Sequence, residues 1–484
     1  MEKNSLSNRT VSAIAWVGSL QVLSQLLNFL VGIILARLLT PSDFGLVALV
    51  LVVVGFSQLL TDFGLSSAVI QKKEISQTQV YSCFVVSSLI GLVLSFVMAA
   101  SSTAIANFYG DTRLVIISLA LAPVFVINAM TSIPKAILVR DLRNKLVSIV
   151  EMFATLSGAA TALFMAASDY GFWSLVVQQL VYACSKCLLI LYLSHLKISS
   201  ISFQSVKELF GFSINVFFTQ FIQQVSLQSD KVILGKYLSP LEVGFYSRAY
   251  QLTSFPIRNI ATVIASVMFP SLSKIQNDVV KVREVYFKSI GVIGTITFPL
   301  MIGLASLAEP LINFLLGEQW LAMTTYFEFF SLIGMIVCIA TITGSFYLSQ
   351  GKSGLQLKIN LISQPLQIIA LLIGIQFGVD GLLWAYALSK LFAALLTWYT
   401  LGTVLNFKLT DIFVALLKPI LCTLLLYIAI RVMQKELIFD NDLIEILTTS
   451  VFGFFVYLIL NLIIRNKHFF YVTYLIKNML GKRK

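Results

Sequence analysis

Ile34-Leu35-Ala36-Arg37-Leu38-Leu39-Thr40-Pro41-Ser42-Asp43-Phe44-Gly45 returns as Ile233-Leu234-Gly235-Lys236-Tyr237-Leu238-Ser239-Pro240-Leu241-Glu242-Val243-Gly244. Ile, Leu, Leu, Pro and Gly recur in register, while Arg/Lys, Thr/Ser and Asp/Glu are matched in kind. The register extends upstream without a gap, with Val17, Gln21 and Gln25 standing where Val216, Gln220 and Gln224 stand. A helix, a proline turn and the start of a second helix are therefore used twice. Duplicated halves in a very apolar chain point to a transporter whose substrate site lies between them.

The chain has 484 residues, 58% of them hydrophobic and 12% charged, with a mean hydropathy of +0.90. A soluble protein of this length needs far more charged surface, so the bilayer is its solvent. Apolar stretches predict spans near 11–36, 44–70, 81–107, 114–138, 147–168, 172–194, 210–236 and 245–269. Six more are predicted near 289–308, 321–347, 355–378, 381–404, 412–432 and 443–464, fourteen in all. The expected fold is an all-α polytopic membrane protein: two six-helix lobes in a parallel pseudo-two-fold repeat, plus two C-terminal helices. The repeat divides the chain into an N-lobe at 1–195, a linker at 196–209, a C-lobe at 210–405 and an appendage at 406–484.

Basic residues set the orientation. Lys72, Lys73, Lys135, Arg140, Arg143 and Lys145 crowd the loops on one side, as do Lys274, Lys281, Arg283, Lys288 and the run Lys482-Arg483-Lys484. The opposite loops hold little beyond Arg37, Arg113, Lys236, Arg431 and Lys435. Both termini are expected in the cytoplasm. The net charge of +12 is mostly this asymmetry, so no nucleic-acid partner is expected. The first apolar run is too long for a cleavable signal and lacks a small-residue cleavage site. Cys83, Cys184, Cys187, Cys338 and Cys422 all fall inside predicted helices and read as small packing residues. The tail from Phe469 to Lys477 is aromatic and then basic, the composition of an interfacial helix.

Polar stripes mark where chemistry can sit. Gln21, Gln25 and Asn28 share one face of the first helix, and Gln220, Gln224 and Gln228 share one face of the seventh. An unpaired amide in hydrocarbon costs several kcal/mol, so such stripes either bond to neighbouring helices or line a wet space. Intramembrane ionisable residues are the sharper signal. The bases are Lys186, Lys231, Arg248, Arg258, Lys390 and Lys418, and the acids are Asp62, Glu151, Asp230 and Glu328. Arg258 and Lys390 lie deepest and suit an anion, because a guanidinium forks onto phosphate oxygens. Lys418, Arg248 and Glu151 lie near span ends, where snorkelling to the interface accounts for them. Asp62, Asp230 and Glu328 either bind a coupling cation or pair with a nearby base. A Walker A run and a two-histidine metal motif are both absent, so no cofactor, metal or enzymatic activity is expected.

The chain resembles the bacterial polysaccharide transporter family, the Wzx-type flippases of the multidrug/oligosaccharidyl-lipid/polysaccharide exporter superfamily. The likeness is carried by the Ile34–Gly45 turn and by Thr61-Asp62-Phe63-Gly64-Leu65-Ser66-Ser67-Ala68-Val69-Ile70-Gln71. Asp230-Lys231-Val232-Ile233-Leu234-Gly235 and Gly244-Phe245-Tyr246-Ser247-Arg248-Ala249-Tyr250 carry it further. It covers the whole chain and looks most like the colanic-acid and exopolysaccharide branch. The resemblance implies alternating-access movement of an undecaprenyl-pyrophosphate-linked oligosaccharide between leaflets by a monomer, with membrane lipids and the polysaccharide polymerase machinery as its other partners. It also implies basic cavity residues for the anionic head group, Arg258 first and Lys390 next, with Lys186, Lys231 and the four glutamines beside them. A small-molecule antiporter of the same superfamily would want an acid-rich cavity. A membrane-embedded polymerase or glycosyltransferase would want a large loop or a catalytic cluster.

Overall fold

The computed structural model describes the backbone of residues 2–72, 74–273 and 275–481 and most of the side chains along it; those of Gln21 and Arg258 lie outside the described residues. Every regular element among the described residues is helical. The first part of the chain forms α1 (Glu2–Leu38), α2 (Pro41–Val54), α3 (Ser57–Asp62), α4 (Leu65–Gln71), α5 (Gln77–Ala100), α6 (Ser102–Tyr109) and α7 (Arg113–Leu121). It continues with α8 (Pro123–Arg140), α9 (Asn144–Ala167), α10 (Trp173–Ser194), α11 (Phe203–Tyr237) and α12 (Pro240–Ser273). Then come α13 (Val279–Ser306), α14 (Ala308–Leu316), α15 (Thr324–Ser349), α16 (Ser353–Gly374) and α17 (Gly378–Leu405). The chain closes with α18 (Leu409–Glu436), α19 (Asp442–Ile463) and α20 (Lys467–Gly481).

Eleven segments among the described residues are long and apolar enough to cross a bilayer, and one of them, 354–405, holds both α16 and α17. Large apolar side chains stand bare on these helices, Phe96 at 69%, Phe164 at 72% and Val414 at 70% exposure. Exposed apolar surface on that scale is stable only against lipid. The chain is therefore a multi-pass membrane protein.

By its contacts the chain divides into two compact units, Met1–Ser247 and Arg248–Lys484. In the first, α9 packs on α1 and α10, α8 on α5 and α10, and α11 on α2, α4 and α5. The division by contact thus falls inside α12 rather than at the 196–209 linker, because α11 is built into the first unit. In the second, α13 packs on α15, α18 and α20, while α16 pairs with α17 and α18 with α19. Its centre is aromatic: Tyr286 meets Phe346 edge-on at 4.9 Å and stacks on Phe407 at 5.5 Å. Arg248 is only 6% exposed, with Nη1 donating to Gln251 Oε1 at 2.6 Å. It does not snorkel as expected: it is buried, and Gln251 on the next turn of its own helix accepts one of its N–H groups.

The repeated turn has a physical reason in each matched residue. Thr40 Oγ1 accepts from the Asp43 amide, and the Asp43 carboxylate accepts in return from the Thr40 amide at 3.0 Å. Ser239 and Glu242 make the same reciprocal pair, with Glu242 Oε2 accepting from the Ser239 amide at 3.0 Å. Both are capping boxes with proline at the first helical position, so α2 and α12 start by one device. The two turns also touch. A Cβ on Gly45 would lie 1.6 Å from the Pro240 carbonyl oxygen, and one on Gly244 would lie 1.9 Å from that of Pro41. Glycine recurs because each turn lays its backbone directly against the other.

The stretch 44–70, expected as a single span, is interrupted. It breaks after α2 at Gly55 and again between α3 and α4, where Phe63 and Gly64 take left-handed conformations with φ of 45° and 76°. Phe63 is braced there by α11, its ring stacked on Phe217 at 4.5 Å. The Asp62 carboxylate caps the restarted helix by accepting from the Ser66 amide at 3.0 Å. A hydropathy window averages over such a break and cannot see it.

Candidate functional site

The break between α3 and α4 opens a cavity of about 510 Å³ in the first unit. Asp62, Ser66, Ser132, Lys135, Gln220 and Gln224 supply much of its polar lining. Its volume is in the range of small-molecule binding sites, yet this lining is richer in polar groups than such sites usually are. Asp62 is anchored rather than loose. Its Oδ1 accepts from Ser66 Oγ at 2.6 Å and from Ser132 Oγ at 2.5 Å, besides the Ser66 amide. One turn beyond Ser132 on α8, Lys135 projects to the same cavity and its Nζ donates to Glu151 Oε1 on α9 at 2.7 Å. Both side chains keep roughly a third of their surface exposed, 30% and 31%, so the pair is only partly buried.

Lys186 on α10 stands near enough to interact with both Lys135 and Glu151, and its ammonium lies 5.5 Å from the centre of the Tyr182 ring. Lys135 thus holds the Glu151 carboxylate with a second ammonium in the vicinity, and Asp62 is already held by hydroxyls and an amide. An ammonium carries three donors, so a lysine paired with one carboxylate oxygen still has N–H groups to offer an anion. Across the cavity, α11 presents Gln220 and Gln224, with Gln224 Nε2 donating to the Gly55 carbonyl at 2.9 Å. Hydroxyls, amides and an ammonium around one space suit a hydroxyl-rich, anionic guest.

The other expected site residues sit elsewhere. Gln25 is exposed on α1, away from the cavity lining. Asp230 is buried at 5% exposure and accepts from the Tyr246 hydroxyl at 3.0 Å and from the Lys231 amide at 2.8 Å. Lys231 itself is half-buried on α11. In the second unit, Lys390 Nζ donates to Gln367 Oε1 at 2.9 Å and lies 5.1 Å from the Tyr386 ring centre. Glu328 stands 3.9 Å from Arg431 Nη2, both more than 40% exposed. Gln21 and Arg258 carry side chains outside the described residues.

Lys135, expected in a loop, lies within α8, and Glu151, expected to snorkel, pairs with it from α9. The missed signal was the short turn joining α8 to α9. Lys135 precedes that turn by about one and a half helical turns and Glu151 follows it by about two, which puts the pair at matching depth in an antiparallel hairpin. Among the described residues, no group of three or more His, Cys, Asp or Glu side chains is placed to hold a metal ion.

Fold and cavity together define a polytopic α-helical protein with a polar, charged chamber in an apolar bundle. The fold is that of lipid II flippase MurJ in its inward closed conformation, with a TM-score of 0.77, 17% identity, and coverage of 93% of this chain and 98% of that one. A multidrug resistance MATE family transporter of the MOP superfamily, in its inward-facing conformation, aligns with a TM-score of 0.64 and 16% identity over 79% of this chain and 94% of its own. The family model described as polysaccharide biosynthesis protein matches residues 34–325. The chain belongs to that polysaccharide biosynthesis family. Its relatives include an uncharacterized membrane protein in the cps region of Klebsiella pneumoniae, 25% identical over 82% of this chain and 83% of that protein. The lipopolysaccharide biosynthesis protein WzxC of Escherichia coli K12 is 24% identical over 82% of each chain. The teichuronic acid biosynthesis protein TuaB of Bacillus subtilis 168 is 24% identical over 76% of this chain and 77% of its own.

Proposed function

We propose that this chain is a flippase that carries an undecaprenyl-pyrophosphate-linked oligosaccharide repeat unit across the bacterial inner membrane for exopolysaccharide biosynthesis, by alternating access. The observation that carries the reading is the chamber beside α3 and α4, where amides, hydroxyls and the Lys135 ammonium line one space inside a membrane-embedded bundle. Sugar hydroxyls match the glutamines and serines, and a pyrophosphate matches an ammonium. Family membership, the relatives named for polysaccharide biosynthesis and a fold shared with a flippase all favour it. It makes the protein a transporter rather than an enzyme. Gln21, Gln25, Lys186, Lys231, Arg258 and Lys390 would serve cargo at stages of the cycle, and Asp62, Asp230 and Glu328 would set local charge or couple to cations. Purified protein in proteoliposomes should move a fluorescent lipid-linked oligosaccharide into the leaflet from which an impermeant quencher reaches it. Movement no faster than in protein-free vesicles would overturn the function.

The same reading counts fourteen spans, with α11 and α12 as the seventh and eighth and both termini in the cytoplasm. It keeps the repeat boundaries: an N-lobe at 1–195, a linker at 196–209, a C-lobe at 210–405 and an appendage at 406–484. A cysteine introduced at Asp278 should react with impermeant thiol reagents only in inverted vesicles, and one at Ile438 only in intact cells. Labelling of both from one side would remove the fourteen-span topology.

A further inference from the structure

The C-terminal helix α20 is fixed to the second unit by a buried polar hinge. Asn466, with no exposed surface, donates from Nδ2 to Asn461 Oδ1 at 2.8 Å and to Thr295 Oγ1 at 3.2 Å. Tyr457 donates to the Thr295 carbonyl at 2.8 Å. The His468 ring then drops into a notch on α13, where a Cβ on Gly291 would come within 2.4 Å of the imidazole. Three anchors over three residues make the start of α20 a rigid element rather than a loose tail.

Cations gather around that hinge. Lys418 Nζ donates to the Arg465 carbonyl at 2.9 Å, and Lys288 Nζ sits 3.5 Å from the centre of the Tyr471 ring. Burial pushes the His468 imidazole below its usual range, and Lys288, Lys418 and Lys467 push it the same way. The charges acting on His468 are thus all positive, drawn from α13, α18 and α20 itself. Lys288, Arg465 and Lys467, which flank this hinge on α13 and at the start of α20, are exposed, so burial does not neutralise them. The chain on either side of the hinge carries bare apolar surface: Phe470 and Tyr474 on one face of α20, at 45% and 59% exposure, and Ile463 at the end of α19, at 71%. A cationic rim above an apolar wall matches one kind of molecule, with an anionic head and acyl chains.

We propose that the junction of α13, α18 and the start of α20 binds an anionic phospholipid, its phosphate among Lys288, Arg465 and Lys467 and its chains along Phe470, Tyr474 and Ile463. This lipid is a resident of the surrounding leaflet and not the cargo. The inference rests only on the chain being a membrane protein, so it stands or falls apart from the flippase reading.

The test uses full-length protein in mixed micelles, titrated with phosphatidylglycerol, phosphatidylcholine or inorganic phosphate and followed by native mass spectrometry. Wild type should retain phosphatidylglycerol in preference to phosphatidylcholine. The triple variant Lys288→Gln, Arg465→Gln, Lys467→Gln should bind it about a hundredfold more weakly, since each cation near an anionic surface contributes a factor of roughly five. These side chains are exposed, so the variant should keep the wild-type melting temperature in phosphatidylcholine. The His468 imidazole, followed by NMR, should shift to higher pKa as phosphatidylglycerol is added and stay put with phosphatidylcholine. Equal retention of the two lipids by wild type, or undiminished phosphatidylglycerol binding by the triple variant, would overturn the site. Displacement of the lipid by millimolar inorganic phosphate would reduce it to a simple anion site, and the lipid assignment would be withdrawn.

Discussion

Gly45→Ala should drive the two proline turns apart and abolish transport, and Gly244→Ala should do the same. The added carbon would sit 1.6 Å from the Pro240 carbonyl oxygen in the first case and 1.9 Å from that of Pro41 in the second. Ordinary non-bonded contact begins at about 3.5 Å. A Cβ has no rotamer to escape through, and its obstacle is backbone locked by a capping box on each side. Overpacking of this kind costs about 1–3 kcal/mol and sometimes more. That is enough to reduce the touching arrangement about 5- to 150-fold relative to any in which the turns are separate. Spin labels at Ser42 and Leu241 should report the change as a longer distance distribution. The double variant should be little worse than either single one, because both residues act on the same contact. Unchanged distances in a well-expressed Gly45→Ala protein that still transports would show that the contact is dispensable.

The second large effect is expected at the lysines beside the cavity. Lys135→Met removes the 2.7 Å partner of Glu151 but leaves Lys186 nearby. Membrane abundance should therefore fall only modestly, while transport falls at least tenfold. Lys135→Met with Lys186→Met strips Glu151 of both cations. An uncompensated carboxylate in a protein interior costs about 3–5 kcal/mol when fully buried, and less here because the pair is partly exposed. Abundance should then collapse. Adding Glu151→Met should restore abundance, since an apolar replacement of a whole charged cluster is often neutral or stabilising, but transport should stay lost. Immunoblots of membranes and the proteoliposome assay separate the two quantities. Wild-type transport by the triple methionine variant would reduce the cluster to a packing device.

Much of this protein could be read before folding was considered. Its apolar runs outlast any soluble helix, so bilayer residence follows from solvation alone. The doubled turn announced itself because its matched positions answer local needs: proline for the first helical residue, and Thr or Ser with Asp or Glu for reciprocal capping; what the recurring glycine serves is shown only by the contact between the two turns. The glutamine stripe of α11 is visible from its spacing, and Gln220 and Gln224 line the cavity in the first unit. These features depend on a residue's own helix or its near neighbours in sequence, where spacing and geometry are tied by the helical repeat.

Tertiary structure alone decided which stripes meet. Gln224 reaches the Gly55 carbonyl, and Ser132 reaches Asp62, across long stretches of chain that carry no shared periodicity. Lys135 and Glu151 looked like a loop cation and an interfacial acid because hydropathy assigns depth by averaging and is blind to helix faces. The break at Phe63 and Gly64 escaped for the same reason: two residues in left-handed backbone barely alter a window's mean, yet they turn Asp62 into the cap of a new helix. In a bilayer, apolar residues set which segments insert. The sites where those segments bond to one another are set by pairings of a few polar atoms, and a pairing is a property of two helices that neither sequence holds by itself.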